Sequence, residues 1–269
     1  MRYPRRPLPF VLCASNQGSL IVNHKDYRMV SDTNGFGVGY ELLRYASVNS
    51  DEVDFTTALL TERRAVAGDG VKVIDCGANI GAHTVEWARH MVGWGEVIAI
   101  EAQERLFYAL AGNIALNNCF NASAIHAAVG ASKGKLTVPR PNYDTPSSFG
   151  SLELRQSANT EFIGQTIDYT PSQCSTVPMV AIDDFATERV DFIKIDVEGM
   201  ELDVLDGAQA TIARTKPILF IEIIKTDRAV LQTRLTDLGY QLFPFGINVL
   251  AVHATDPVTK KITVQTPSN

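Results

Sequence analysis

The chain has 269 residues, and its 30 acidic against 24 basic side chains leave a formal charge of -6. That length holds one large α/β domain with an appendage, and a core of this size needs no disulfide or metal to fold. The charge balance excludes an ordinary nucleic-acid binder, which carries a basic patch or stripe. The single basic cluster, Arg2, Arg5 and Arg6, sits in a Pro-rich start that reads as a flexible tail.

Cys13, Cys76, Cys119 and Cys174 lie far apart with no C-x-x-C pair. They read as reduced packing residues, with neither a zinc site nor a disulfide framework, and favour a cytoplasmic location. The apolar run from Pro9 to Ala14 is short and broken by proline, unlike a signal-peptide core. No stretch approaches the ~20 apolar residues of a membrane span.

Residues 1–18 read as an unstructured lead. Ser19 to Val22 and Tyr27 to Val30 flank a polar turn, Asn23 to Asp26, and suggest a hairpin. Tyr40 to Tyr45 and Val53 to Arg64 follow as helical stretches, so that 1–67 forms an extension packing on the core.

The organising stretch is Val71 to Gly81. β-Branched residues (Val71, Val73, Ile74) end in Asp75, pass through Gly77 and Gly81, and open into a segment with Val85, Ala88 and Val92 at helical spacing. This is strand, Gly-rich turn, helix, the place where an open parallel sheet holds a nucleotide-like ligand. A dinucleotide fingerprint needs G-x-G-x-x-G, whereas Ala78 and Asn79 follow Gly77 here, which disfavours a nicotinamide dehydrogenase. Asp75 at the strand end repels a pyrophosphate and attracts a sulfonium or ammonium. A second strand, Glu96 to Ile100, closes on Glu101, where an acidic residue accepts hydrogen bonds from ribose hydroxyls. Taken singly, Asp75 is equally a turn or cap residue and Glu101 a solvated strand-end charge. Together, with a helix between them, they point to S-adenosylmethionine (SAM).

Leu106 to Leu116 is amphipathic, with Asn113 and Asn117 one turn apart, either tying the helix to neighbouring loops or facing solvent. Ala122 to Val129 reads as a third strand, with His126 a structural histidine and Ala127, Ala128 and Val129 forming a small apolar wall for an adenine. Residues 133–190 break the βαβ rhythm, too long for a plain loop, and read either as an inserted β-rich substrate flap or as a mobile surface loop. In the flap reading Tyr143 and Asp144 are candidate sugar contacts. Asp191 to Asp196 is the fourth strand. Phe192, Lys194 and Asp196 share one face, so Lys194 is buried and needs a carboxylate among Asp75, Asp196 and Glu222. A helix spans Val197 to Thr215, a fifth strand Ile218 to Ile224 is interrupted only by Glu222, and a helix Asp227 to Leu238 precedes a terminal antiparallel pair. Residues 257–269 read as a polar tail.

Four segments carry a resemblance: VIDCGANIGAHT (73–84), AIEAQERLFYALAGNIALNN (99–118), AVGASKG (128–134) and VDFIKIDVEGMELDVLDGA (190–208). The chain resembles the FkbM family of SAM-dependent methyltransferases over about residues 70–225, and the last segment is the most specific. Gln103 departs from it, since many relatives carry proline there. The resemblance implies a Rossmann-like class I methyltransferase fold: a seven-stranded, mainly parallel sheet of order 3-2-1-4-5-7-6 with helices on both faces, a methyltransferase domain over 68–256, the N-terminal extension and the inserted flap. It implies SAM contacts at Asp75, Gly77, Ala78, Asn79, Gly81, Glu101, Ala102, Ala128, Val129 and Asp196, and cleft contacts at Tyr40 and Glu41. Ser147, Ser148 and Ser151 match a serine-rich patch of relatives. The implied reaction is O-methylation of a hydroxyl on a sugar, glycan or polyketide-like product. It needs a carboxylate base, for which Asp196 and Glu198 lead and Glu222 is third, with Lys194 as electrostatic organiser. Asp196, Glu198 and Glu222 together also suit a divalent cation, but the Asp-Asn pair of catechol-type enzymes is missing and no metal is assigned. A non-catalytic SAM-binding module is the alternative from another class.

Overall fold

A computed structural model describes residues 7–262; the cluster Arg2, Arg5 and Arg6 and the stretch 263–269 lie outside them. The apolar run after Pro9 forms strand β1 (Phe10–Ser15), which pairs antiparallel with β2 (Gly18–Asn23). The hairpin therefore turns at Asn16 and Gln17, not at Asn23 to Asp26. Ser15 Oγ closes that turn by donating to Gly18 O at 2.8 Å and accepting from Gln17 N at 3.1 Å. The segment read as an unstructured lead thus supplies a strand from residue 10 onward. Two short strands, β3 (Arg28–Met29) and β4 (Gly35–Phe36), pair next, and helices α1 (Val38–Tyr45) and α2 (Ser50–Ala67) follow. On α2, Thr56 Oγ1 accepts a 2.9 Å hydrogen bond from the buried indole of Trp87, joining the extension to the main domain.

The main domain runs β5 (Val71–Cys76), α3 (Ala82–His90), β6 (Gly95–Glu101), α4 (Glu104–Leu116), β7 (Ala122–His126), β11 (Phe192–Ile195), α5 (Glu201–Asp206), α6 (Gln209–Thr215), β12 (Ile218–Glu222), α7 (Arg228–Asp237), β13 (Tyr240–Phe245) and β14 (Asn248–His253). Between β7 and β11 lie three strands of a separate small sheet, β8 (Ala128–Val129), β9 (Gly134–Pro139) and β10 (Cys174–Val180). The seven-stranded sheet has the order β13-β14-β12-β11-β5-β6-β7, with β14 alone running antiparallel to the other six strands, as the family resemblance implies.

The period-2 alternation of the central strands sorts two cores. Val71, Val73, Phe192 and Phe220 pack toward α2, α3 and α4, while Ile74, Ile193, Ile195, Leu219 and Ile221 pack toward α5, α6 and α7. The same alternation puts Asp75, Lys194 and Glu222 on the first of these faces.

Three expected elements break where tertiary contacts override local pattern. The third strand ends at His126, because Ala127 N donates to Glu101 O and Ala128–Val129 turns away to pair with β10. The helix expected from Val197 to Thr215 begins only at Glu201 and is interrupted at Gly207. There a Cβ would lie 2.1 Å from Gly130 O, and Asp183 accepts from Ala210 N and Thr211 N to cap α6. The tail starts as a one-turn helix, Pro257–Lys261, capped by Asp256 and anchored by buried Val258.

Asn113 and Asn117 tie α4 to the extension. Asn113 Oδ1 accepts from Ile21 N at 2.6 Å, and Asn117 Oδ1 accepts from Ser19 N at 3.2 Å. The extension also grips the insertion through Asp26, 1% exposed, whose Oδ1 accepts from Phe149 N at 3.0 Å while Oδ2 has no partner. Burial, with a smaller push from Glu41 and opposed by the Phe149 N–H, raises its pKa to about 7. The folded state therefore holds the proton more tightly than the unfolded chain, and the stability of the neutral form is lost as pH rises toward 7. Asp26→Asn is expected to exceed the native chain in stability by roughly 2–4 kcal/mol at pH 8, the gap closing as pH falls toward 4. Urea unfolding at several pH values reads this directly.

Candidate active site

The carboxyl ends of β5, β6, β11 and β12 open into a cavity of about 500 Å³, within the size range of small-molecule sites. Gly77 and Asn79 form its floor, Glu101 to Gln103 and Ala127 to Val129 one wall, and Asp196 to Glu198 with Glu222 the opposite wall. Phe36 to Val38, Glu41, Val48 and Asn49 of the extension cover it from one side, and Ser148, Gly150 to Leu152, Leu154 and Glu161 of the insertion from the other. Among the described residues six carboxylates line the cavity and no lysine or arginine does.

Gly77 explains why the turn after β5 is glycine. Its φ is 79°, and a Cβ there would sit 1.7 Å from Asp196 O, so the chain closes on the β11 loop only without a side chain. Asn79 takes a left-handed φ of 52° and turns its N–H to Glu101 Oε2 at 2.9 Å; Glu101 Oε1 accepts from Gln103 N at 2.7 Å. Burial pushes Glu101 up to about 7 against these N–H groups, leaving a fixed carboxylate facing the cavity.

Of the expected cofactor contacts, Gly77, Asn79, Glu101, Ala102, Ala128, Val129 and Asp196 line the cavity, whereas Asp75, Ala78 and Gly81 do not. Asp75 is 1% exposed and accepts from Thr84 Oγ1 at 2.6 Å; its Oδ1 has no hydrogen-bond partner. It lies in register with Lys194, whose pKa it helps to raise, and is not part of the cavity wall. Ala78 packs with Ala99 and Leu110, and Gly81 starts α3 with φ 85°.

Lys194, 4% exposed, donates to Asp196 Oδ2 at 2.7 Å. Burial alone would lower its pKa, but Asp196 and Asp75 outweigh that and raise it. Glu198 has a left-handed φ of 57° ahead of Gly199, which carries its carboxylate back toward the sheet and 2.5 Å from Lys225 Nζ. Burial, then Asp196 and Glu222, raises the Glu198 pKa, with Lys225 opposing. Glu222 has no ion-pair partner among the described residues, and burial together with Asp196 raises it to about 8. One oxygen from each of Asp196, Glu198 and Glu222 lies within 4.8 Å of the others. Three carboxylates suit a hard cation, yet lysines already compensate two of them.

Lys225 and Glu161 escape the sequence reading, since nothing in their own segments marks them. Gln103 does more than start α4: its amide donates to Phe149 O at 2.8 Å and accepts from Tyr143 OH at 3.1 Å, pinning the insertion. Tyr143 and Asp144 do not line the cavity; Asp144 pairs with Lys25. Ser148 and Ser151 line it while Ser147 is buried behind, and Glu41 lines it while Tyr40 bonds Thr33 O. His126 stacks on Phe107 at 4.9 Å, a packing role.

The family described as the methyltransferase FkbM domain matches residues 75–242. No curated protein matches the chain. A solved methyltransferase FkbM from Methylobacillus flagellatus KT is 21% identical over 69% of this chain, with a TM-score of 0.47; the match spans 44% of that protein, less than half its length. A precorrin-6y C5,15-methyltransferase from Geobacter metallireducens GS-15 is 13% identical over 78% of this chain and 92% of its own, TM-score 0.40. A putative caffeoyl-CoA O-methyltransferase from Staphylococcus aureus is 12% identical over 77% and 85%, TM-score 0.43.

Proposed function

Because the chain belongs to the FkbM family of SAM-dependent methyltransferases, we propose that it methylates a hydroxyl of a sugar, glycan or polyketide-like natural product. When bound, SAM supplies an electrophilic sulfonium methyl group. Glu101 accepts the ribose hydroxyls, and Ala127, Ala128 and Val129 offer a flat apolar surface to the adenine. Lys194 holds Asp196 at the rim, and the acidic wall favours the cationic cofactor.

The observation that carries the hydroxyl reading is Glu222. A general base works best with a pKa near the working pH, and Glu222 alone among the three rim carboxylates has no ammonium on it while its pKa stands at about 8. We therefore rank it above Asp196 and Glu198 as the group that takes the acceptor proton. A cavity lined by carboxylates without lysine or arginine also favours a neutral or cationic acceptor over a phosphorylated one. The mutual approach of Asp196, Glu198 and Glu222 favours a second reading in which a divalent cation activates the hydroxyl.

The test begins with calorimetric titration by S-adenosylhomocysteine, for which micromolar binding is expected; an absence of binding overturns the assignment. Methyl-labelled SAM is then offered with neutral sugars, amino sugars, macrolide alcohols and sugar phosphates. Transfer that survives EDTA supports Glu222 acting alone, and transfer restored only by magnesium supports the second reading.

A further inference from the structure

Lys225 lies just beyond β12, and its side chain is 11% exposed. Three oxygens surround its ammonium: Ser151 O at 2.6 Å and Glu161 Oε2 at 3.2 Å from the insertion, and Glu198 Oε2 at 2.5 Å from the loop after β11. The other oxygen of Glu161 accepts from Arg28 Nη1 at 2.9 Å, and the Arg28 guanidinium lies over the rings of Phe36 and Phe162 at 5.8 and 5.7 Å. The chain Arg28, Glu161, Lys225, Glu198 thus crosses the cavity mouth and joins the extension, the insertion and two strand-end loops. Phe36, Ser151, Glu161 and Glu198 are themselves cavity walls.

Lys225 forms no ion pair with Glu222, although its charge lowers the pKa of that group. Lys225 instead spends its contacts spanning segments far apart in sequence. Glu198 also depends on it. A non-glycine residue at φ 57° holds a sparsely populated conformation that persists only where surrounding contacts fix it. Lys225 is also the ammonium that favours the charged form of Glu198 against burial and Asp196, so without it the carboxyl takes up a proton and loses its tie to the insertion.

We propose that Lys225 is a positioning residue that makes closure of the 148–163 segment over the cavity and alignment of Glu198 a single event. The consequence for catalysis rests on the methyltransferase reading, while the coupling itself does not. With the clasp closed, the acceptor hydroxyl is shielded from water and Glu198 is held beside Asp196 and Glu222. Opening it frees the insertion and releases Glu198 together.

Hydrogen exchange by mass spectrometry on the full chain, free and saturated with S-adenosylhomocysteine, tests this. Lys225→Met is expected to raise exchange more than about tenfold in peptides covering 148–163 and in those covering 197–201. Affinity for S-adenosylhomocysteine should stay within about twofold, because Lys225 is not on the cofactor wall. Lys225→Arg should restore most of the protection. Glu161→Gln, which weakens the ties to Lys225 and Arg28 but leaves the Lys225–Glu198 pair in place, should give a smaller rise in both segments. Adding Glu198→Gln to Lys225→Met should open 148–163 no further than the single change. Native protection of 148–163 in Lys225→Met overturns the proposal, and so does opening of 148–163 without 197–201, which would make Lys225 a plain anchor. Failure of the native chain to bind S-adenosylhomocysteine would count against the methyltransferase reading alone, since exchange is also read on the free chain.

Discussion

Glu101→Ala is expected to weaken S-adenosylhomocysteine binding about a hundredfold, because two charge-assisted hydrogen bonds to the ribose are lost, together worth about 3 kcal/mol. The change also strips Asn79 N and Gln103 N of the acceptor they share, so the floor of the cavity loosens with the wall. Glu101→Gln keeps the shape but puts an amide hydrogen against one of those N–H groups, and should fall between the two. Affinity also carries a pH signature. The free Glu101 carboxyl titrates at about 7 because burial disfavours its charge. Ribose hydroxyls donate to the ionised form and stabilise it, so binding releases a proton, and affinity rises as pH climbs toward 7 and flattens above it. Calorimetry in buffers of different ionisation enthalpy reads the released proton. The Ala variant should show neither the release nor the pH dependence, and native-like affinity in that variant would remove Glu101 from the cofactor site.

What was legible in the sequence is what local pattern dictates. Val71–Cys76 and Phe192–Ile195 announce themselves by apolar alternation ending in acids, and the glycine at position 77 by a turn that tolerates no Cβ. The sheet order comes from the family resemblance, which the observed pairing matches. What was not legible depends on groups distant in the chain. Gly207 breaks a helix because Gly130 O presses on it, and no window of sequence around Gly207 contains Gly130. β1 was hidden by its proline-rich approach, although β2 supplies the partner that makes it a strand. Asp75 reads as a cavity acid until Thr84, on the helix that follows, is seen to take one of its oxygens. Lys225 and Glu161 acquire their place only when the insertion folds over the mouth, bringing Ser151 O to Lys225 across 74 residues.

Glu222→Gln separates activity from stability, and the two should move in opposite directions. As the base for a hydroxyl acceptor, Glu222 must be ionised, so the native rate constant should rise about tenfold per pH unit below about 8 and level off above it. Removing a positioned base costs about 10²- to 10⁴-fold, and the variant should lose the rising limb altogether. Stability runs the other way. With a folded pKa of about 8, the native chain keeps the full benefit of the neutral carboxyl only below the unfolded value near 4.5 and loses it as pH climbs through 8. Gln cannot ionise, so the variant should melt higher than the native chain at pH 8.5 and nearly alike at pH 4.5. S-Adenosylhomocysteine affinity should change little, since Glu222 stands on the wall opposite Glu101. A variant that is both slower and less stable at pH 8.5 would show that Glu222 braces the rim, and the base would then have to be sought in Glu198 or Asp196. Methyl transfer measured from pH 6 to 9, with whichever acceptor the labelled panel identifies, decides between them.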